Sequence, residues 1–263
     1  MGRKEQRIKN KLEKNPIKEC LSIQKKFYPR LFSRFNEVAD PRNSSYIDYS
    51  NHVMLGTLYF KSICSVSSIQ SMTSYFNKDE VVANIYNFLG DKEKEYLPHY
   101  VTLNEYLERL DPKELENIQH DIVYRMIRRK TFNDAKVLKK WLVIVDGTEL
   151  DEGLKKKNDN YLERCYNRGT AEEYTRYHRS VLEAKIYFGN NFVASIATEP
   201  IENDAEYSAK KLSDEKIKQD CESKAFLRLT QKLKKAYPRL PICILADSLY
   251  VSENVINRCK EYN

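Results

Sequence analysis

The sequence predicts an α/β fold in which an α-helical first half precedes a second half that holds a sheet. Before residue 130, apolar residues recur at steps of three to four positions, which is typical of helices. Two short apolar runs, Trp141–Val145 and Pro241–Ala246, have the length of buried strands. A hairpin pattern and a further helical pattern lie between these runs, so strands and helices alternate in the second half.

The helices of the first half are predicted from apolar spacing and from end signals. Apolar residues from Leu21 to Val38 keep helical spacing apart from one longer gap, and Asp40-Pro41 ends the pattern. A further helix is predicted to begin at Asp111-Pro112-Lys113-Glu114, which combines an N-cap, a proline at the first helical position and a glutamate three residues after the cap. Two more are expected at about 46–64 and about 79–89, the second with Gly90 as its C-cap. We therefore predict an α-helical, basic region over 1–135.

The second half, 138–263, is predicted to hold one α/β domain. Its elements are a strand at 141–146, a polar irregular stretch at 147–179, a hairpin at 180–201 turning at Gly189-Asn190-Asn191, a helix at about 213–236, a strand ending at Asp247 and a helix capped by Ser252. In this order the first and last strands can lie adjacent and parallel. The order strand, hairpin, helix, strand, helix is that of a ribonuclease H-like core, so we expect a partial ribonuclease H-like domain.

The composition excludes several classes of protein. Hydrophobic residues make up 41% and charged residues 32%, and no apolar stretch approaches the length of a transmembrane helix. The charged N-terminus lacks the apolar region of a signal peptide. The six cysteines and four histidines show no zinc-ligand spacing. With seven glycines and no glycine-rich phosphate loop, P-loop and dinucleotide chemistry are disfavoured.

The net charge of +7 is concentrated near the N-terminus. Residues 1–42 hold 12 Lys/Arg and 5 Asp/Glu, whereas the remaining 221 residues hold 33 of each. A basic segment joined to a neutral body predicts a polyanionic partner, most often nucleic acid. The alternative interpretation is a solvated helical face that binds nothing.

Two aspartates, Asp146 and Asp247, close the two predicted buried strands. If these strands are neighbours, both carboxylates can bind one divalent ion at the sheet edge. Mg²⁺ prefers such hard oxygen ligands, and two ions together support phosphodiester displacement. The alternative for each residue alone is an ordinary turn aspartate at the end of a strand.

Two further residues, Glu222 and His178, are possible accessories of such a site. Glu222 is predicted to lie within the long helix, where it points either to the metal site or to solvent. His178 could contact a phosphate or an active-site water, and the alternative is a structural hydrogen-bonding role.

The motifs around these residues resemble those of bacterial insertion-sequence transposases of the DDE type, whose catalytic domain is ribonuclease H-like and related to that of retroviral integrases. The first motif is Val145-Asp146-Gly147-Thr148, which resembles the family's first catalytic aspartate motif. Further similarity covers Tyr177–Lys185, Asp220–Glu222, Tyr237–Ile242 and Ala246–Tyr250. The resemblance extends well over about 130–263 and loosely over the helical first half.

The resemblance implies a function for the chain. In this family two aspartates and a later glutamate hold two Mg²⁺ or Mn²⁺ ions, and the enzyme cleaves and transfers strands at transposon ends. Asp146 and Asp247 match the two aspartates, and the later glutamate has no counterpart. We therefore expect a chain truncated before the third catalytic acid. The family also implies double-stranded DNA as partner, a homodimer on DNA and a cytoplasmic, nucleoid-associated location.

By the resemblance, the helical region 1–135 is expected to bind DNA. Several basic residues are candidates for phosphate contacts, which supply affinity that falls with salt. They are the lysines and arginines of 1–42 together with Arg128, Arg129, Lys130, Lys139 and Lys140.

Two alternatives to an active transposase stay open. One is a catalytically inactive fragment that binds DNA or multimerises, and the other is a different ribonuclease H-like nuclease.

Overall fold

The computed structural model describes residues 2, 4, 15–204, 207, 210 and 218–262. The chain divides into two compact units, Met1–Arg125 and Met126–Asn263. In the described residues the first unit is helical, and the second combines helices with a five-stranded sheet, so the predicted α/β class is confirmed. The division falls inside a helix, before the predicted change at residue 135. No helix among the described residues is long and apolar enough to cross a membrane.

The first unit is built from helices that share one apolar core. They are α1 (Pro16–Phe27), α2 (Leu31–Glu37), α3 (Asn51–Ile63), α4 (Ile69–Phe76), α5 (Asp79–Leu89), α6 (Tyr100–Arg109) and α7 (Pro112–Arg128), of which α7 continues into the second unit. Met54 and Leu103 are fully buried at the centre of this core. Gly56 lets α3 approach α5 closely, because a Cβ there would lie 2.8 Å from a methyl carbon of Leu89.

The end signals of the first half were more informative than its apolar spacing. Gly90 ends α5 in the left-handed conformation with φ 70°, as predicted. The pattern over 21–38 was wrong as a single helix, because the chain breaks between α1 and α2 around Pro29, which disfavours helix in the residue before it. Likewise α3 begins at Asn51 rather than near residue 46, since the Ser50 side chain accepts the Val53 backbone N–H and caps it there.

The second unit places a central strand between an antiparallel and a parallel neighbour. Its elements are β1 (Trp141–Gly153), β2 (Leu162–Tyr166), β3 (Tyr174–Tyr187), β4 (Val193–Ile201), α8 (Glu222–Ala236), β5 (Ile242–Ala246) and α9 (Glu253–Glu261). The sheet order is β2-β3-β1-β5, and β4 pairs with the other end of β3. β1 is antiparallel to β3 and parallel to β5. The predicted parallel neighbourhood of the two Asp-bearing strands and the hairpin formed by β3 and β4 are thus confirmed.

The prediction that 147–179 is irregular was wrong. β1 continues past Asp146 to Gly153, paired with β3, and β2 adds a further strand. No residue of β1 beyond Asp146 is buried, so the extension lacks the alternation of buried apolar residues that identifies a strand. Cross-strand ion pairs stabilise it instead, including Arg164 with Glu149 at 3.1 Å.

The helix predicted at 213–236 begins later, at Glu222. Residues 218–220 are not helical, and 213–217 lie outside the described residues. Cys221 has extended backbone angles, φ −155° and ψ 165°, and stands at the N-cap position. From there α8 packs on β3 and β4 through a buried face that includes Phe226 and Leu229. The predicted Ser252 cap of α9 is present, since its hydroxyl accepts the Val255 backbone N–H at 3.4 Å.

Candidate active site

The two aspartates extend from neighbouring positions of β1 and β5. Val145 of β1 is the register partner of Ala246 of β5, and Asp146 and Asp247 follow this pair directly. Adjacent strands are about 4.8 Å apart, so the backbones of the two aspartates lie side by side where β5 ends. Both side chains are exposed, which makes them accessible to a ligand. β5 ends at this point, whereas β1 continues, so Asp146 lies within its strand rather than at its end.

A third carboxylate, that of Glu222, comes from the first turn of α8. Its Oε1 lies over Gly147, the residue after Asp146, so closely that a Cβ on Gly147 would be 2.6 Å away. Any other residue at 147 would displace the glutamate or the strand. The glycine therefore makes the space in which Glu222 approaches the strand that carries Asp146.

The phenol of Tyr250 is bonded to Glu222 and feels the charge of both aspartates. Its hydroxyl donates to Glu222 Oε2 at 2.5 Å, and its ring packs on Phe226 with the centroids 5.5 Å apart. Burial, the hydrogen bond to Glu222 and the negative charges of Glu222, Asp146 and Asp247 all raise the pKa of Tyr250. The phenol is therefore protonated at neutral pH and remains a hydrogen-bond donor beside the carboxylates.

The donor set fits Mg²⁺ by its chemistry, because carboxylate oxygens are the ligands that this ion prefers. Among the residues that the structure describes, no three Asp, Glu, His or Cys side chains are already arranged as a metal site. Glu222, Asp146 and Asp247 thus lie near Tyr250, but their carboxylate oxygens do not converge on one metal position. The space at Gly147 lets Glu222 lie beside the strand, and side-chain rotation of the exposed aspartates has to complete any coordination.

An ion-pair network holds the segment that precedes Glu222. Arg228 of α8 binds Asp220 Oδ2 at 2.7 Å and Glu199 Oε1 at 2.6 Å, and Lys232 binds the other oxygen of Glu199 at 2.9 Å. The two carboxylates are about nine-tenths buried. Because Asp220 is two residues before Glu222, this network ties the segment in front of α8 to the helix itself and to β4.

The structure does not bring His178 to this site. His178 lies on β3 opposite Glu152, six positions along β1 from Asp146, which is about 20 Å at the rise of an extended strand. The imidazole is buried, with Nε2 3.4 Å from a terminal guanidinium nitrogen of Arg164. Burial first, and then the charge of Arg164, lower its pKa, while Glu149 and Glu152 act in the opposite direction. The structural interpretation of His178 therefore fits better than the active-site one.

The lowered pKa of His178 predicts a pH-dependent stability. The unfolded chain takes up a proton near pH 6.5, whereas folded His178 resists it, so the free energy of unfolding should fall as pH drops below about 6.5. His178→Gln should make this decline shallower between pH 7.5 and 5, with part of it retained by His52, whose pKa burial also lowers. Urea denaturation at several pH values measures the decline. Parallel pH profiles of wild type and variant would contradict the assignment.

The basic residues of the second unit remain accessible. Arg128, Arg129, Lys130, Lys139 and Lys140 are all exposed. The first three lie at and just beyond the end of α7, and the last two lie in the turn that leads into β1. Their positions allow phosphate contacts.

The N-terminal basic segment is partly neutralised within the protein. Of residues 1–14, only Gly2 and Lys4 are described, so most of that stretch lies outside the described residues. Further along, Arg34 pairs with Glu37 and Asp121, and Arg42 pairs with Asp40 at 2.7 Å. The Arg42 side chain is only 14% exposed and also binds a backbone carbonyl, so it stabilises the fold rather than offering its charge to a ligand.

Comparison with known proteins adds no family to this picture. No protein-family model matches the chain, and neither a curated protein nor a solved structure is significantly similar to it. The case for any function therefore depends on the arrangement of the acids and basic residues.

Proposed function

We propose that the second unit is a ribonuclease H-like domain of the DDE type and that the protein is a DNA transposase, which cleaves and transfers strands at insertion-sequence ends. The observation that carries the proposal is the register of β1 and β5, which sets Asp146 and Asp247 side by side at the point where β5 ends. The order of the paired strands, with β1 between an antiparallel hairpin and a parallel strand, supports the ribonuclease H-like assignment.

Each acid has a role in the proposed reaction. Asp146 and Asp247 supply carboxylate oxygens for Mg²⁺ or Mn²⁺, and Glu222 supplies the third carboxylate that the aspartates need. Two such ions, when bound, supply activation of the attacking oxygen and charge stabilisation of the leaving oxygen in an in-line displacement. Tyr250 orients Glu222 through its hydrogen bond. In this arrangement Glu222, rather than a residue further along the chain, completes the carboxylate set.

Duplex DNA is the proposed substrate, and the exposed basic residues at the end of α7 and before β1 are the proposed phosphate contacts. By the resemblance we also propose a homodimer on DNA.

One observation favours a second candidate function. Because the acids are not arranged as a metal site, the chain could serve as a catalytically inactive fragment that only binds DNA or multimerises.

The test combines metal binding with DNA cleavage. Mn²⁺ binding to the full chain, followed by electron paramagnetic resonance, should weaken by at least about tenfold in Glu222→Gln, since even groups that only support the ligands alter metal affinity on that scale. Supercoiled plasmid should be nicked with Mg²⁺ and left intact with EDTA. Joined strands among the products favour a transposase, and cleavage alone favours another nuclease. Plasmid binding without Mn²⁺ binding or nicking would favour the inactive fragment and overturn the catalytic proposal.

A further inference from the structure

A tight turn in front of β1 presents a leucine to solvent. Val137 and Lys140 exchange both backbone hydrogen bonds, each at 2.9 Å, so that only two residues form the tip. These two residues, Leu138 and Lys139, have φ of 51° and 64°. Two consecutive left-handed residues are the signature of a type I′ turn, in which Asn-Gly is the favoured pair.

Leucine is a poor residue for this tip on two grounds. Its Cβ makes the left-handed conformation costly, and its side chain is 89% exposed, so burial offsets none of that cost. The residue before the turn also contacts the core, because the Lys136 ammonium lies 4.9 Å from the ring centroid of the buried Trp141. A strained, exposed apolar residue on a hydrogen-bonded turn is the kind of outlier that points to a binding site.

The charges around the tip indicate the partner. Lys139 and Lys140 are exposed directly beside Leu138. The exposed Leu154 offers a contrast, because two of the lysines that follow it, Lys156 and Lys157, form ion pairs with nearby acids. An apolar tip flanked by exposed cations suits duplex DNA. The DNA phosphates attract the cations, and apolar side chains such as leucine enter between stacked base pairs.

We propose that Leu138 is a wedge that enters a base step of duplex DNA, while Lys139 and Lys140 hold the flanking phosphates. The proposal rests on the DNA-binding part of the proposed function and adds a second site to it. Asp146 lies six positions after Lys140, which is about 20 Å along an extended strand, so the wedge is distinct from the carboxylates.

The test uses the full chain and a duplex of about 30 base pairs that contains flexible TA steps and carries a fluorophore at each end. Leu138→Asn keeps a residue that tolerates the left-handed turn and removes the apolar wedge. We expect the melting temperature of the variant protein to rise and its affinity for the duplex to fall about tenfold. The energy transfer between the two ends of the bound duplex should be lost, and so should the permanganate reactivity of its unstacked thymines. Leu154→Asn is the matched control and should change none of these.

The possible results separate this inference from the function on which it rests. If Leu138→Asn binds and distorts the duplex as the wild type does, the wedge is refuted and DNA binding stands. If the wild type does not bind the duplex at all, the DNA function itself fails. Leu138-dependent binding to phosphatidylserine vesicles in place of DNA would also overturn the wedge, because it would assign the tip to a membrane surface.

Discussion

Asparagine at Asp146 or Asp247 should lower Mg²⁺-dependent DNA cleavage by about a thousandfold. Each substitution keeps the size of the side chain and removes the negative charge that the ion needs, and a thousandfold corresponds to about 4 kcal/mol of transition-state stabilisation. Both side chains are exposed, so the fold should tolerate the change. Single-turnover nicking rates of supercoiled plasmid, measured beside thermal unfolding, check the prediction.

A matched control exists in Asp159→Asn, since Asp159 is also an exposed aspartate of the second unit but pairs with Lys156 away from the three acids. Its cleavage rate should equal that of the wild type. The double variant Asp146→Asn/Asp247→Asn should be little slower than either single one, because groups that act as a unit are strongly non-additive. Unchanged cleavage in both single variants would remove the basis of the proposed active site.

The strands that carry the aspartates could be predicted because burial constrains their composition. Val143 and Val145 are at most 2% exposed, and a run of such residues is visible in any sequence. The position of each aspartate at the end of an apolar run then follows from the point at which the chain meets solvent. The same logic found Gly90 and Ser252, whose roles depend only on local backbone geometry.

The parts that escaped prediction depend on contacts between distant residues. The extension of β1 is stabilised by charges from β2 and β3, such as Arg164 with Glu149, and a polar segment with no buried residue shows no apolar alternation. The sequence does not single out Tyr250. Its contact with Glu222 exists only because the short turn after Asp247 returns the chain to α8. His178 lies in one of the segments that carry the family resemblance, yet its register with Glu152 places it along the extension of β1.

Arg228 makes the long-range contact whose loss should be most costly to the fold. It joins Asp220 and Glu199, whose side chains are only about a tenth exposed. Breaking a buried pair typically costs 3–5 kcal/mol because the remaining charge stays buried. The guanidinium is 42% exposed and Lys232 still pairs with Glu199, so we expect Arg228→Met to lower the free energy of unfolding by about 2 kcal/mol. Urea denaturation measures this loss.

Arg258→Met tests whether the loss reflects the buried network or merely a missing surface charge. Arg258 pairs with Glu261 at 3.1 Å on the surface of α9, and such pairs contribute about 0.5 kcal/mol or less. An equal loss in both arginine variants would contradict the network.

The free energy of unfolding of Arg228→Lys should lie between those of Arg228→Met and the wild type, because a single ammonium cannot reproduce the fork with which the guanidinium binds both carboxylates. If the network also positions Glu222, stability and Mn²⁺ affinity should fall together across wild type, Arg228→Lys and Arg228→Met. A loss of stability with unchanged Mn²⁺ affinity would mean that α8 keeps its first turn without Asp220, and Glu222 would then owe its position to Tyr250 and to the space at Gly147 alone.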